Sequence, residues 1–234
     1  MAPVKVFGPA RSTNVARVLV CLEEVGAEYE VVDVDFHTVE HKGPEHLARN
    51  VTRHSSRSVH SFRLPNTYLA IPRPSQLDLF ALFAFQPFGQ VPAFQDGDGT
   101  NLLRDGDLQG SALVDAWLDV EALQYEPAVH AVFVQHRVVP ALGGTPDEKA
   151  IGENVEKLRK VLEVYEARLG ERRHLAGDAV SLADLSHFPY THYFMGMPYA
   201  AVFDAFPRVR AWWQDLVARP AVRKVAAMMD GRSG

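Results

Sequence analysis

The chain has 234 residues, 47% hydrophobic and 23% charged, which is enough to bury one large core or two small ones. Its 24 lysines and arginines against 29 aspartates and glutamates give a net charge of −5, so no broad basic face is implied, which argues against nucleic acid as a partner. The single cysteine, Cys21, excludes an internal disulfide and a Cys-x-x-Cys redox pair, and no apolar run approaches the roughly 18 residues that a membrane span needs.

The N-terminal stretch predicts a strand, a helix and a second strand. Residues 4–7 alternate between apolar and polar side chains and stop at a Gly-Pro turn, and residues 29–34 alternate in the same way. The helix between them has Ser12 or Asn14 as its N-cap and Gly26 as the residue that ends it. Because crossovers of this kind are right-handed and join neighbouring strands, the two strands are expected to be parallel.

The middle of the chain contains two loop-rich stretches of different character. Residues 37–50 are polar and carry His41 and Lys42, which from the pattern alone favour a solvated loop. Residues 51–86 fit neither a helical nor a strand period. An unpatterned loop of this length inside a compact domain is uncommon, so this stretch needs an explanation of its own.

Residues 87–98 predict a loop, a proline step, a short strand and a tight turn. Val91 precedes Pro92 and is therefore held in extended geometry. If the Val91-Pro92 bond is cis, the N–H and C=O of Val91 face outward and can pair with a peptide-like ligand as an added strand would. The alternative, which these residues leave open, is a plain proline between a loop and a strand.

From residue 108 onward the pattern is helical. One helix is predicted over 112–123 and another over 129–139, which stops near Pro140. The next helix has Thr145 as its predicted N-cap and ends at Gly170. Its apolar stripe consists of Ile151, Val155, Leu158, Leu162, Tyr165 and Leu169.

The last part of the chain contains a strong capping signal. Ser181 is the predicted N-cap of a further helix, and Asp184 stands at N3, where its carboxylate can reach back to the N–H of Ser181. Val180 and Leu185 can close a hydrophobic staple around that turn. Asp184 is therefore interpreted as a folding residue rather than a catalytic acid. A terminal packing helix follows, interrupted at Pro220.

Several motifs together resemble the soluble glutathione transferases, and in detail the phi class of plants. They are STNVAR at 12–17, EHKGPEHL at 40–47, PFGQVPA at 87–93, VLEVYEARL at 161–169, LAGD at 175–178 and SLAD at 181–184. The resemblance implies an α+β protein with an incomplete thioredoxin-like βαβ N-terminal domain over 1–98 and an all-α helical domain over 104–229. It also implies glutathione as co-substrate, no metal, and a homodimer.

The resemblance also implies roles for individual residues. Ser12 would be the catalytic residue, because a hydroxyl at a helix N-terminus can favour the thiolate of glutathione over the thiol. The residues implied to bind glutathione are His41, Lys42, Gln90, Val91 and Pro92. Of these, His41 and Lys42 would bind its glycyl carboxylate. The residues implied to line the electrophile pocket are Thr13 and Phe36. A serine rather than a cysteine at position 12 disfavours glutaredoxin-like or dehydroascorbate-reducing chemistry.

The chain departs from the family pattern first at residues 51–86. In the family, a sequence like 44–50 passes directly into one like 87–90, so this segment is extra and is expected to be a disordered insertion. We hypothesise a translated intron, because valine codons begin with GT, which suits a donor site at Val51. Gln86 can be encoded by CAG, which suits an acceptor site, and the Phe- and Leu-rich stretch 79–85 suits a pyrimidine-rich tract.

The second departure is a loss after Asp98. There the family continues into a strand and a Glu-Ser-Arg helix start, whose Glu and Ser hold the γ-glutamyl end of glutathione and which contributes to the dimer interface. In this chain, residues 99–101 lead at once into the helical domain. Losing two charge-assisted hydrogen bonds predicts glutathione binding that is weaker by on the order of a hundredfold.

The sequence thus predicts a glutathione transferase that conjugates the glutathione thiolate to small hydrophobic electrophiles, impaired by the lost segment. Glutathione peroxidase activity towards organic hydroperoxides is an additional expectation. The alternative is a non-catalytic ligand-binding protein that retains the helical domain. The lone cysteine and the absence of a signal-peptide pattern indicate a cytoplasmic protein that does not bind membranes.

Overall fold

The computed structural model describes residues 3–32, 34, 101–104 and 106–231. The N-terminal part contains strand β1 (Val4–Phe7), helix α1 (Thr13–Glu24) and strand β2 (Tyr29–Val32). The strands pair in parallel with Val4 opposite Tyr29, which confirms the predicted βαβ unit. Gly26 ends α1 with φ +69°, a left-handed conformation that glycine adopts at little cost.

The first helical stretch of the second half is longer than expected. Helix α2 (Leu108–Val120), a π-helical turn (Glu121–Tyr125), helix α3 (Glu126–Phe133), a second π-helical turn (Val134–Val138) and helix α4 (Val139–Ala141) follow one another without interruption. The prediction of two separate helices is therefore wrong. Pro127 and Pro140 each lie in the first turn after a π-helical turn. Because the wider turn accommodates a residue without an N–H, the helix passes both prolines instead of ending.

Helix α5 (Glu148–Arg168) begins at a different cap from the predicted one. The prediction of Thr145 is wrong, because Asp147 is the N-cap and its Oδ1 accepts from the N–H groups of Lys149 and Ala150, both at 3.0 Å. The N–H of Asp147 itself donates to Gln135 Oε1 at 2.9 Å. That bond holds Asp147 in the extended geometry of a cap, and nothing in the sequence near Asp147 predicts the bond.

The remaining elements are helix α6 (Leu182–Leu185), helix α7 (Phe188–Met195), a 3₁₀ segment (Pro198–Ala205), helix α8 (Pro207–Ala218) and helix α9 (Pro220–Met229). Helix α7 and the 3₁₀ segment were not predicted from the sequence. The capping box at Ser181 is confirmed, because the N–H of Ser181 donates to Asp184 Oδ2 at 2.9 Å. The predicted interruption at Pro220 is confirmed as well, since Arg219 separates α8 from α9 in extended geometry.

The hydrophobic core runs from β1 and α1 into the helical half, which supplies most of its buried side chains. Cys21 on α1 is fully buried, which agrees with its interpretation as a small apolar residue, and burial raises the pKa of its thiol. Ion pairs fasten α9 to α1, with Arg219 on Glu24 and Lys224 on Glu23. Helix α1 therefore joins the two strands in sequence and is also tied to the helical half by ion pairs.

Two of the sequence predictions concern residues that lie outside the described ones. The boundaries 1–98 and 104–229 stay a prediction, because 35–100 are not described, and the insertion over 51–86 falls within the same gap. Among the helices that are described, none combines the length and the apolar character that crossing a bilayer requires.

A buried polar network links α6 and α7 to the rest of the helical half. His187 has no exposed surface, and its Nδ1 lies 2.7 Å from the carbonyl oxygen of Ala183, which can only accept. Nδ1 therefore carries the proton, and Nε2 accepts from the hydroxyl of Tyr165 at 2.8 Å. Thr191 donates to the carbonyl of His187 at 2.6 Å, which leaves the hydroxyl of Tyr125 to donate to Thr191, also at 2.6 Å. The network fixes a neutral imidazole.

This network predicts a loss of stability in acid. Burial lowers the pKa of His187 from 6.5 to about 3, so between these values the unfolded chain binds a proton that the folded chain does not. The free energy of unfolding should therefore fall as the pH drops from about 6.5 to 3, by roughly 4–5 kcal/mol from this group. Glu121 has the opposite effect on stability. Burial raises its pKa to about 7, so as the pH falls the folded chain takes up a proton before the unfolded chain does.

The contribution of His187 is isolated by comparing urea unfolding between pH 7 and pH 4 for the parent chain and His187→Gln. We expect a shallower pH dependence in the variant than in the parent. His136→Gln, at a partly exposed position, is the matched control and should keep the slope of the parent. Equal slopes for the parent and His187→Gln would contradict the prediction.

Candidate active site

Ser12 lies at the N-terminus of α1, between the end of β1 and the first helical turn. Its φ and ψ of −70° and 127° are those of an N-cap, and its carbonyl accepts from the N–H of Ala16 at 2.8 Å. Its own N–H donates to the carbonyl of Pro9 at 2.9 Å. Gly8 has φ +122°, and a Cβ there would lie 3.0 Å from Val15, so the tight turn ahead of Ser12 favours glycine. Of the two predicted caps, Ser12 is the one that forms.

The hydroxyl of Ser12 is not used for capping. It makes no hydrogen bond to the backbone of the first turn of α1, a turn that lies wholly within the described residues. The N–H groups of that turn add positive potential at the same place. Because Ser12 is partly exposed, its O–H and this potential can act together on an anion such as a thiolate.

Thr13 follows Ser12 and faces the helical half. Its hydroxyl is near enough to the phenol of Tyr190 on α7 to lower the pKa of that phenol, although burial raises this pKa overall. The hydroxyl of Tyr193, one turn further along α7, donates to the carbonyl of Arg11 at 2.7 Å. Arg11 is therefore bound to α7, and Thr13 lies near the same helix.

Aromatic rings cover the side of α7 that meets this loop. Phe133, the last residue of α3, has its ring centre 6.3 Å from that of Tyr190 and 5.4 Å from that of Tyr193. His130 lies 5.5 Å from Tyr190. These residues were not predicted from the sequence, although two tyrosines three positions apart on a helix are a signal for one aromatic face. The surface suits planar or apolar groups.

Of the predicted site residues, the structure describes Ser12 and Thr13, which are adjacent at the N-terminus of α1. The other predicted site residues, Phe36, His41, Lys42, Gln90, Val91 and Pro92, lie outside the described residues. Their roles stay predictions. Across the described ranges, no three histidine, cysteine, aspartate or glutamate side chains are grouped so as to hold a metal ion.

A buried ion pair lies beyond Ser12 on α1. Arg17 Nη2 is 2.9 Å from Glu121 Oε1, and the carboxylate is only 2% exposed. Burial raises the pKa of Glu121 to about 7, while the charge of Arg17 opposes that rise. The Nε of Arg17 is buried without a partner among the described residues. Glu121 begins the first π-helical turn, so the irregular helix supplies the carboxylate that holds α1 against the helical half.

Comparison with known proteins gives two family matches and close relatives. The model of the Glutathione S-transferase, N-terminal domain, matches residues 2–55, and that of the Glutathione S-transferase, C-terminal domain, matches residues 123–220. The chain is 49% identical over 250 residues to probable glutathione S-transferase GSTF1 of Oryza sativa subsp. japonica, covering 98% of both proteins. It is 43% identical over 246 residues to glutathione S-transferase 1 of Zea mays, again covering 98% of both.

Similar solved structures belong to the same family as these relatives. Glutathione S-transferase I from maize, in complex with an atrazine glutathione conjugate, superimposes with a TM-score of 0.77 at 42% identity, over 99% of this chain and 100% of the other. Glutathione transferase F7 from Populus trichocarpa gives a TM-score of 0.74 at 37% identity, over 96% and 98%. The α+β fold class, with a thioredoxin-like N-terminal domain and a helical C-terminal domain, is thereby confirmed. The chain therefore belongs to the glutathione S-transferase family, in the phi class of plants.

Proposed function

We propose that this chain conjugates the thiolate of glutathione to small hydrophobic electrophiles, with Ser12 as the catalytic residue. The observation that carries the proposal is the position of Ser12 as the N-cap of α1, with a hydroxyl that does not cap the helix. It is supported by the relatives, one of which was solved with a glutathione conjugate bound.

The chemistry follows from the ionisation of the thiol. A free thiol has a pKa near 8.5, so at neutral pH only a few per cent of it is the nucleophilic thiolate. The hydroxyl of Ser12 donates a hydrogen bond to the sulfur, and the N-terminus of α1 adds positive potential, so both favour the thiolate. The sulfur then attacks the electrophilic carbon, forming a carbon–sulfur bond while the leaving group departs with the bonding electrons.

The remaining roles follow the family pattern. Gln90, Val91 and Pro92 would hold the tripeptide extended, and His41 and Lys42 would bind its glycyl carboxylate. Phe36 would line the electrophile pocket beside Thr13, which lies near Tyr190 in the structure.

A homodimer in the cytoplasm that acts in detoxification completes the proposal, as the family pattern implies. The predicted weakening of glutathione binding rests on the loss after Asp98, beyond the described residues, and stays a prediction. So does the translated intron, which the gene sequence at both junctions would test.

A glutathione-affinity column tests the proposed function. We expect the folded chain to be retained and to elute with free glutathione, and the eluted protein to conjugate an aryl halide. A control matrix that carries no glutathione separates binding at the active site from adsorption to the resin. Flow-through of a folded protein that also fails to conjugate an aryl halide at saturating glutathione would contradict the proposal and favour the non-catalytic ligand-binding protein.

A further inference from the structure

The backbone around Ser12 is fixed from two directions. The peptide unit between Arg11 and Ser12 has one donor, the N–H of Ser12, and one acceptor, the carbonyl of Arg11. The donor is bound locally, to the carbonyl of Pro9 at 2.9 Å. The acceptor is bound by the hydroxyl of Tyr193 at 2.7 Å, from a residue 182 positions away in sequence. Both polar atoms of this peptide plane are therefore held, the second one by the helical half.

The peptide unit after Ser12 is held by the helix itself. The carbonyl of Ser12 accepts from the N–H of Ala16 at 2.8 Å, and the side chain of Thr13 lies near the phenol of Tyr190. With the peptide planes on both sides fixed, the direction of the Cα–Cβ bond of Ser12 is fixed too. The hydroxyl then retains only its rotation about χ1.

The two tyrosines are themselves well held. Their rings pack on Phe133, whose centre is 5.4 Å from the ring of Tyr193, and Phe133 lies between the two π-helical turns. Burial raises the pKa of Tyr193, so its phenol stays protonated and remains a donor at neutral pH. The hydroxyl that binds Arg11 thus has a defined position.

We propose that Tyr193 is a positioning residue for Ser12: through the carbonyl of Arg11 it orients the peptide plane that aims the hydroxyl of Ser12 at the glutathione sulfur. This inference rests on the proposed function. It assigns part of the geometry of the N-terminal site to a residue of the helical domain. A misdirected hydroxyl would still lie at the helix N-terminus but would donate poorly to the sulfur, because hydrogen bonds weaken steeply off axis.

Tyr193→Phe tests the proposal, because it removes the hydroxyl and keeps the ring that packs on Phe133. We expect kcat/KM for an aryl halide at neutral pH to fall about tenfold, consistent with the loss of an aligned hydrogen bond to a charged group. The pKa of bound glutathione, followed by the ultraviolet absorbance of the thiolate, should rise. Tyr199→Phe is the matched control, because the ring of Tyr199 contacts His136, so both quantities should stay unchanged.

The double variant separates positioning from general stability. In the Ser12→Ala background, Tyr193→Phe should leave the thiolate pKa unchanged, since no hydroxyl remains to be oriented. A rate loss with unfolding at lower urea but an unaltered thiolate pKa would overturn the proposal, because it would show a purely structural role. If Ser12→Ala raises the thiolate pKa and Tyr193→Phe does not, the proposal is wrong while the proposed function stands. If Ser12→Ala changes neither rate nor pKa, the catalytic assignment itself is wrong.

Discussion

Replacing Asp184 with alanine is expected to lower the free energy of unfolding by about 4 kcal/mol, because four donors lose one buried acceptor. Asp184 has no exposed surface. Its Oδ1 accepts from the N–H of Leu175 at 3.0 Å and from the indole N–H of Trp212 at 2.9 Å. Its Oδ2 accepts from the N–H and the hydroxyl of Ser181, both at 2.9 Å.

The carboxylate therefore joins three parts of the helical half: the start of α6, the turn at Leu175 and helix α8. Asp184→Asn provides a second test. The amide keeps the shape of the carboxylate, but its NH₂ group replaces one oxygen and faces the two donors that this oxygen had accepted from. Asp178→Ala is the matched control: its ion pair with Arg172 is exposed and should contribute at most about 0.5 kcal/mol. Urea unfolding followed by circular dichroism measures all three. A loss below about 1 kcal/mol for Asp184→Ala would contradict this account of the network.

Replacing Ser12 with alanine is expected to lower conjugation at neutral pH by roughly 10- to 100-fold, the loss expected for one hydrogen bond to a charged group. Glutathione binding should stay nearly intact, because the hydroxyl acts on the ionisation of the sulfur more than on holding the peptide. The substitution should also leave α1 undisturbed, because the side chain of Ser12 makes no capping hydrogen bond.

Steady-state kinetics with an aryl halide and calorimetric titration of glutathione measure the two effects separately. Ser12→Thr is the matched control, because it keeps a hydroxyl at the N-cap and should retain most of the rate. Loss of glutathione binding in Ser12→Ala with an unchanged rate at saturation would reverse the assigned role.

The features that could be predicted from sequence are those decided by neighbours in the chain. The βαβ unit follows from alternating and helical periods, and the capping box at Ser181 and Asp184 from residues three positions apart. The N-cap at Ser12 was one of two candidates. Recognition of the family then supplied the fold class of the whole chain.

The features that were missed depend on contacts between distant residues. Asp147 became the cap of α5 because Gln135 binds its N–H, and the two π-helical turns carry the chain past prolines that normally end a helix. The pair of Arg17 and Glu121 joins residues 104 positions apart. Likewise, nothing near Arg11 in the sequence indicates that a tyrosine of α7 binds its carbonyl.

The most direct test of the central claim, that Ser12 at the N-terminus of α1 favours the thiolate, is the pH titration of glutathione bound to this chain. The absorbance of the thiolate should rise with a midpoint clearly below the value near 8.5 of a free thiol. In Ser12→Ala at saturating glutathione, the midpoint should move back towards that value. Coincident titration curves for the two proteins would contradict the claim and remove Ser12 from the mechanism.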